Sequence, residues 1–210
     1  MPTLSTVLLF VAATMALLIV PGPAVVYIVT RTVAQGRAAG LLSVLGVHVG
    51  SIVYVLLTSL GMSALLLASP TVFQIVKWLG VAYLVWLGIQ KLRARRADDG
   101  TVAEPPPMSN ARIFAQGVLV NVLNPKTLVF FVAFLPQFVD PARGPAVWQL
   151  LFFGIGFIVL GILSDGSYAM LASVLSGRLR STAKARRRLD LSSGAIYIIL
   201  GAIAAAVSQA

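Results

Sequence analysis

Two polar interruptions stand inside otherwise apolar stretches of this chain. Pro21-Gly22-Pro23 breaks the first apolar run; Asn121, Asn124, Pro125 and Lys126 break the fourth. Proline has no N–H, and its ring clashes with the carbonyl four residues earlier. Pro21 and Pro23 therefore strip the carbonyls of Leu17 and Ile19 of their helical partners, and Pro125 does the same to Asn121. In hydrocarbon an unsatisfied backbone group costs several kcal/mol. Such a break is tolerable only where it faces protein, water or a ligand. Gly22 lets another group approach the backbone closely. A plain proline kink is the alternative, and two prolines around one glycine argue against it. The two asparagine amides offer donors and acceptors together.

Charge narrows the chemistry. Lys126 is a cation deep in a span, whereas Lys77 lies near a helix end and can snorkel to the interface. Asp165 is the acid well inside a span; Asp190 sits at a helix start and reads as a cap. A lone carboxylate in lipid costs at least ~2.5 kcal/mol, so Asp165 must meet a cation, a water cavity or a proton. Three roles stay open for it: binding a substrate ammonium, carrying a coupling proton, or pairing with Lys126. Lys126 in turn suits either a substrate carboxylate or a structural ion pair. His48 is either a buried, hydrogen-bonded histidine or part of a proton relay. Its neighbours Gly46 and Gly50 form a small-x-x-x-small pair that permits close helix packing, within one chain or in a homodimer.

These residues must be positioned by membrane-spanning helices. Of 210 residues, 59% are hydrophobic and 10% charged, and mean hydropathy is +0.95. A soluble domain is about a quarter charged, so the favourable solvent for this surface is lipid. A span needs roughly 20 apolar residues. The expected spans are 4–29, 38–66, 70–92, 112–139, 146–174 and 190–208, with Ser69-Pro70 as the turn between the second and third. The chain starts Met1-Pro2-Thr3-Leu4 without a basic residue, so the first run is expected to be a retained helix instead of a cleaved signal.

The net charge of +10 is then mainly an orientation signal. Arg31 and Arg37 lie after the first span. Lys91, Arg93, Arg95, Arg96 and Arg112 flank the loop after the third, and Arg178, Arg180, Lys184, Arg186, Arg187 and Arg188 fill the loop after the fifth. Only Arg143 lies on the opposite side. The positive-inside bias puts these odd-numbered loops in the cytoplasm and both termini outside. No nucleic-acid partner is implied. Loop 93–111, with Arg95-Arg96, Asp98-Asp99 and Glu104-Pro105-Pro106-Pro107, reads as a flexible tether. Loop 176–189 reads as a solvated cytoplasmic loop that can lie on anionic headgroups.

The expected fold is all-α: six spans arranged as two inverted three-helix repeats within one membrane domain, 1–210. Repeat one is 1–92 and repeat two is 112–210. Gly80 and Tyr83 recur as Gly194 and Tyr197, and the two breaks fall in corresponding first spans, at Pro-Gly-Pro and Asn-Pro-Lys. An odd number of spans per repeat forces opposite orientations. Paired breaks in inverted repeats point to a transport site near mid-membrane.

Several classes are disfavoured. With no cysteine and one histidine, neither a thiolate nor a multi-histidine metal centre is expected, and no cofactor is implied. An intramembrane serine protease would need a positioned Ser–His pair, and no Gly-x-Ser-x-Gly stretch accompanies His48, so an enzyme is not expected. A metal-ion or small-solute transporter or channel stays open as a reading of the same residues.

Taken together the residues resemble the LysE/RhtB family of bacterial amino-acid exporters. The markers are Pro21-Gly22-Pro23 with Arg31, Gly36-Arg37, Gly40, Gly46 and Gly50. They continue with Lys77-x-x-Gly80-x-x-Tyr83-Leu84-x-Trp86-Leu87-Gly88. The most specific is Gly117-x-x-x-Asn121-x-x-Asn124-Pro125-Lys126, leading to Phe131-x-x-Phe134-Leu135-Pro136-Gln137-Phe138. One departure is Ser51, where many members carry aspartate. The resemblance implies efflux of an amino acid or close derivative across the bacterial inner membrane, driven by the proton gradient or membrane potential. For a zwitterionic substrate, Lys126, the Asn121 and Asn124 amides and helix-end N–H groups can take the carboxylate. Asp165 and the freed carbonyls of Leu17 and Ile19 can take the ammonium.

Overall fold

The computed structural model describes residues 2–62 and 107–175, together with residues 71, 75, 78, 79, 82, 85, 86 and 89. The sixth expected span, most of loop 93–111, loop 176–189, Lys77, Asp190 and the Gly80/Tyr83 echo lie outside the described residues. Among the described residues every regular element is helical.

Helix α1 (Leu4–Ile19) starts at Thr3, whose hydroxyl accepts the Thr6 N–H at 3.1 Å. It stops where Pro21 and Pro23 remove two donors. Helix α2 (Pro23–Gln35) starts with Pro23 in its first turn, a position that needs no N–H. The two axes meet at 54°. Gly36, at φ +84°, turns the chain directly into α3 (Arg37–Leu57). An L side chain is rarely found at that φ, so glycine suits a connection this short. A π-helical turn, Thr58–Met62, extends α3.

The second described segment mirrors this layout. Helix α4 (Asn110–Val122) is followed by α5 (Pro125–Val129), again with proline in the first turn, and the bend is 48°. A π-helical turn (Phe130–Phe134) and two 3₁₀ turns (Leu135–Phe138 and Pro141–Arg143) lead to α6 (Ala146–Leu175). Thirty residues at about 1.5 Å each make α6 roughly 45 Å long, enough to cross the hydrocarbon core. Extended α3 and α6 are each long and apolar enough to cross a membrane, and each bent pair qualifies as one span. These elements fall on the first, second, fourth and fifth expected spans.

Two boundaries differ from expectation. The first span runs on to Gln35, so Arg31 is a helical residue and not a loop charge. Its guanidinium lies 5.9 Å over the Tyr27 ring and donates to Gln35, leaving the residue 8% exposed. The long stem packs while the head finds partners, which a count of charges cannot foresee. The fourth span starts at Asn110, which brings Arg112 into its first turn. The Gln35 amide holds the chain just before α4 from both sides: it donates to the Met108 carbonyl at 2.8 Å and accepts the Met108 N–H at 3.0 Å.

Helix α3 lies closely along α4. A Cβ on Gly46 would run into the Phe114 carbonyl, and one on Gly50 would sit 2.8 Å from the Val118 carbonyl. From the other side, a Cβ on Gly117 would meet the Ser43 carbonyl at 3.0 Å. Two apolar cores flank this seam. One is aromatic, joining α1, the π-helical turn and α6: Phe130 stands 4.6 Å from Phe157, and Phe10 stands 4.7 Å from Phe153. The other is aliphatic: Ala24, Ile28, Val44, Val47 and Ala169 join α2, α3 and α6.

Candidate functional site

A cavity of about 30 Å³ lies between the two cores, with Phe157 from the aromatic one and Ala24 and Val47 from the aliphatic one in its wall. That is room for about one water molecule. Gly22, His48, Asn121, Asn124, Lys126 and Asp165 all line it. Residues from both breaks, α3 and α6 thus meet at one place. Pro21, Pro23 and Pro125 are outside its lining and act by ending or starting the helices around it.

At the first break the freed carbonyls are already occupied. Leu17 accepts the Val20 N–H at 3.2 Å, and Ile19 accepts the Tyr168 hydroxyl at 2.6 Å. The Val20 carbonyl accepts the Lys126 ammonium, also at 2.6 Å. The Leu17 and Ile19 carbonyls, expected to be free for a ligand, each have a protein donor in this closed arrangement. The penalty for an unsatisfied group in hydrocarbon drives the chain to close them internally. An ammonium at the C-terminal end of α1 also meets the negative end of its dipole.

At the second break the amides are engaged as well. Asn121 donates to Ser51 Oγ at 2.9 Å and accepts the Thr127 hydroxyl at 3.0 Å. Its backbone carbonyl, which lost a helical donor to Pro125, accepts the Asn124 N–H at 2.9 Å. Asn124 Oδ1 caps α5 by accepting the Lys126 N–H at 3.1 Å. Asn121 thus ties α4 to both α3 and α5, and both ends of its amide have protein partners. Tyr54 on α3 adds a 2.6 Å hydrogen bond to the Val122 carbonyl.

Asp165 contacts His48, with Oδ2 3.1 Å from Nε2. Both side chains are almost wholly buried, at 6% and 5% exposure. Lys126, one of the three partners left open for Asp165 from sequence, directs its ammonium to Val20 while sharing the cavity with the acid. Asp165 therefore contacts an imidazole and shares one small cavity with an ammonium. Gly161, one turn before Asp165 on α6, makes the imidazole fit: a Cβ there would collide with the His48 ring. His48 Nδ1 is buried without a hydrogen-bond partner. With Nε2 donating to the carboxylate, Nδ1 holds a lone pair able to take a proton.

Sequence reasoning missed Tyr168, Thr127 and Gly161, and saw Ser51 only as a departure from a pattern. A signal existed for two of them. Gly161, Asp165 and Tyr168 are spaced four and three apart, which puts them on one face of a helix. Among the described residues no cluster of three metal-ligating side chains occurs.

The chain matches the family described as LysE type translocator over residues 15–207. It is 32% identical over 191 residues to a homoserine/homoserine lactone efflux protein of Salmonella typhimurium, covering 90% of this chain and 91% of that protein. It is 36% identical over 162 residues to an uncharacterized membrane protein of Vibrio cholerae, covering 77% and 78%. A leucine efflux protein of Salmonella typhimurium is 32% identical over 124 residues, covering 59% and 58%. No solved structure matches the chain.

Proposed function

Because the chain belongs to the LysE type translocator family, we propose that it exports an amino acid or close derivative across the bacterial inner membrane. Membership makes it a membrane transporter and not an enzyme. The observation that carries the substrate class is the cavity between the two helix breaks, where an ammonium, a carboxylate and an imidazole converge with amide and hydroxyl groups. A zwitterion needs one partner of each charge, and Lys126 and Asp165 supply them. At about 30 Å³ the cavity is far below the few hundred Å³ of a ligand pocket. Transport therefore requires the elements around it to separate, as alternating access at a broken-helix site does.

The His48–Asp165 pair is the proposed coupling site. Its buried contact and the unpartnered Nδ1 support proton carriage in step with transport. Six spans in two inverted repeats, with both termini periplasmic, complete the reading. The 54° and 48° bends, each followed by a proline-started helix, support the repeat. A homodimer is compatible with it.

The test is efflux from bacteria loaded with amino acids as dipeptides, with external pools quantified by mass spectrometry. Homoserine, homoserine lactone and leucine come first, from the names of the relatives. Export of one or a few of these compounds that collapses on dissipating the proton gradient is expected. No change for any amino acid, with protein present in the membrane, overturns the reading in favour of another small solute.

A further inference from the structure

The contact between the Lys126 ammonium and the Val20 carbonyl joins the two breaks directly. The carbonyl lies where α1 ends, in the negative field of the helix terminus. The cavity beside Lys126 also holds the Asp165 carboxylate. The Lys126 ammonium thus has a helix-end carbonyl as acceptor and shares its cavity with a carboxylate, and each of these groups favours a cation. The same two groups are what the ammonium of an amino acid requires. In this structure the protein's own ammonium stands there.

Resting on the export reading, we propose that Lys126 is a tethered stand-in for the substrate ammonium. It holds the Val20 carbonyl and screens Asp165 while the carrier is empty. It swings to the substrate carboxylate when the substrate ammonium takes its place. An empty carrier that must cycle with a carbonyl end and a carboxylate buried needs a cation in that position. Lysine suits the exchange: its stem is flexible and its ammonium has three donors without a fixed orientation. The two states make the same kinds of pairs. Empty, lysine meets carbonyl and carboxylate. Loaded, substrate ammonium meets them and lysine meets substrate carboxylate. Because the substrate is a zwitterion, the net charge at the site does not change on loading. The Lys126 backbone, held by the Asn124 cap, stays put while the stem moves.

The proposal separates ligands by which charge they carry. Homoserine lactone and leucinamide keep the ammonium and lack a free carboxylate; homoserine and leucine carry both. Binding of these four probes to the purified full chain is measured for wild type, Lys126→Met and Lys126→Gln. Glutamine keeps a donor for the Val20 carbonyl and so guards against a simple folding defect. Thermal unfolding of each variant is followed alongside. With the resident cation removed, the two carboxylate-free amines are expected to bind about tenfold tighter than to wild type, while homoserine and leucine bind more weakly. If all four weaken together in Lys126→Gln, or if the amines bind unchanged, the lysine is a fixed staple and the proposal fails. If wild type binds none of the four and exports no amino acid, the export reading itself fails, whatever the variants do.

Discussion

The two helix breaks share a backbone plan and differ in side-chain chemistry. Each ends a helix, bends the chain by about 50° and restarts with a proline in the first turn. The first break is built from glycine and proline, and what it presents is bare carbonyl: Leu17, Ile19 and Val20 all accept. The second carries asparagine, lysine and threonine, and supplies its own caps and donors. An acceptor-rich end faces a donor-rich end, and Lys126 connects them. A bilayer provides no water to settle unpaired backbone groups, so a pair of breaks is tolerable when each completes the other. Both completing contacts, from Lys126 and Tyr168, can be exchanged for others without unravelling a helix. That property suits a site that must open.

This comparison can be tested from either side. The largest effect is expected from Asp165→Asn, which removes the charge facing both Lys126 and His48. Stripping a buried charge of its partner costs about 3–5 kcal/mol. Export from loaded cells, normalised to the amount of protein in the membrane, should fall at least about a hundredfold, and near-normal efflux would remove Asp165 from the site. Next is the donor-rich break. Asn121→Ala severs the links to Ser51 and Thr127 and leaves their hydroxyls buried, about 1–3 kcal/mol each when a buried group goes unsatisfied. Thermal unfolding in detergent should show clear destabilisation; an unaltered melting temperature would mean that Asn121 does not hold α3, α4 and α5 together.

Smaller is the effect on the acceptor-rich break of Tyr168→Phe, which removes one hydrogen bond to Ile19, about 1 kcal/mol. Efflux should drop severalfold with little loss of stability, since Tyr168 is only half-buried. A loss as deep as that of Asp165→Asn would show that this carbonyl matters more than its partner geometry suggests. The smallest effect is expected at Gly22. Its φ of −109° is open to any residue, so Gly22→Ala should leave stability within about 0.5 kcal/mol. Gly22→Leu adds bulk at the wall of a cavity that holds about one water, and should depress efflux selectively. Equal effects of the two substitutions would mean that backbone freedom, not space, is what glycine contributes there.

Much of the described fold was legible because its causes are local. Apolar run length marked four spans now seen as helices or bent pairs. The prolines marked both breaks, since a missing N–H ends a helix wherever it occurs. Gly46 and Gly50 marked the face against which Phe114 and Val118 pack. The misreadings came from the same local logic carried too far. Arg31, a charge that follows an apolar run, reads as a loop residue, yet Tyr27 and Gln35 let it sit in a helix. Pro21 and Pro23 take away the helical donors of Leu17 and Ile19, and the replacement donors come from Val20 and a tyrosine on α6.

What the sequence alone determined is where polar groups would be a problem in a membrane: two proline breaks, a lysine and an aspartate. Hydrocarbon penalises each of them regardless of its surroundings. What only the tertiary structure decided is which group relieves which. Lys126 reaches a carbonyl 106 residues away, and His48 reaches an acid 117 residues away. By charge alone Asp165 could meet Lys126, a substrate ammonium or a proton. The choice rests on which helices pack together and on the space that Gly161 leaves for an imidazole, and both are properties of the folded chain.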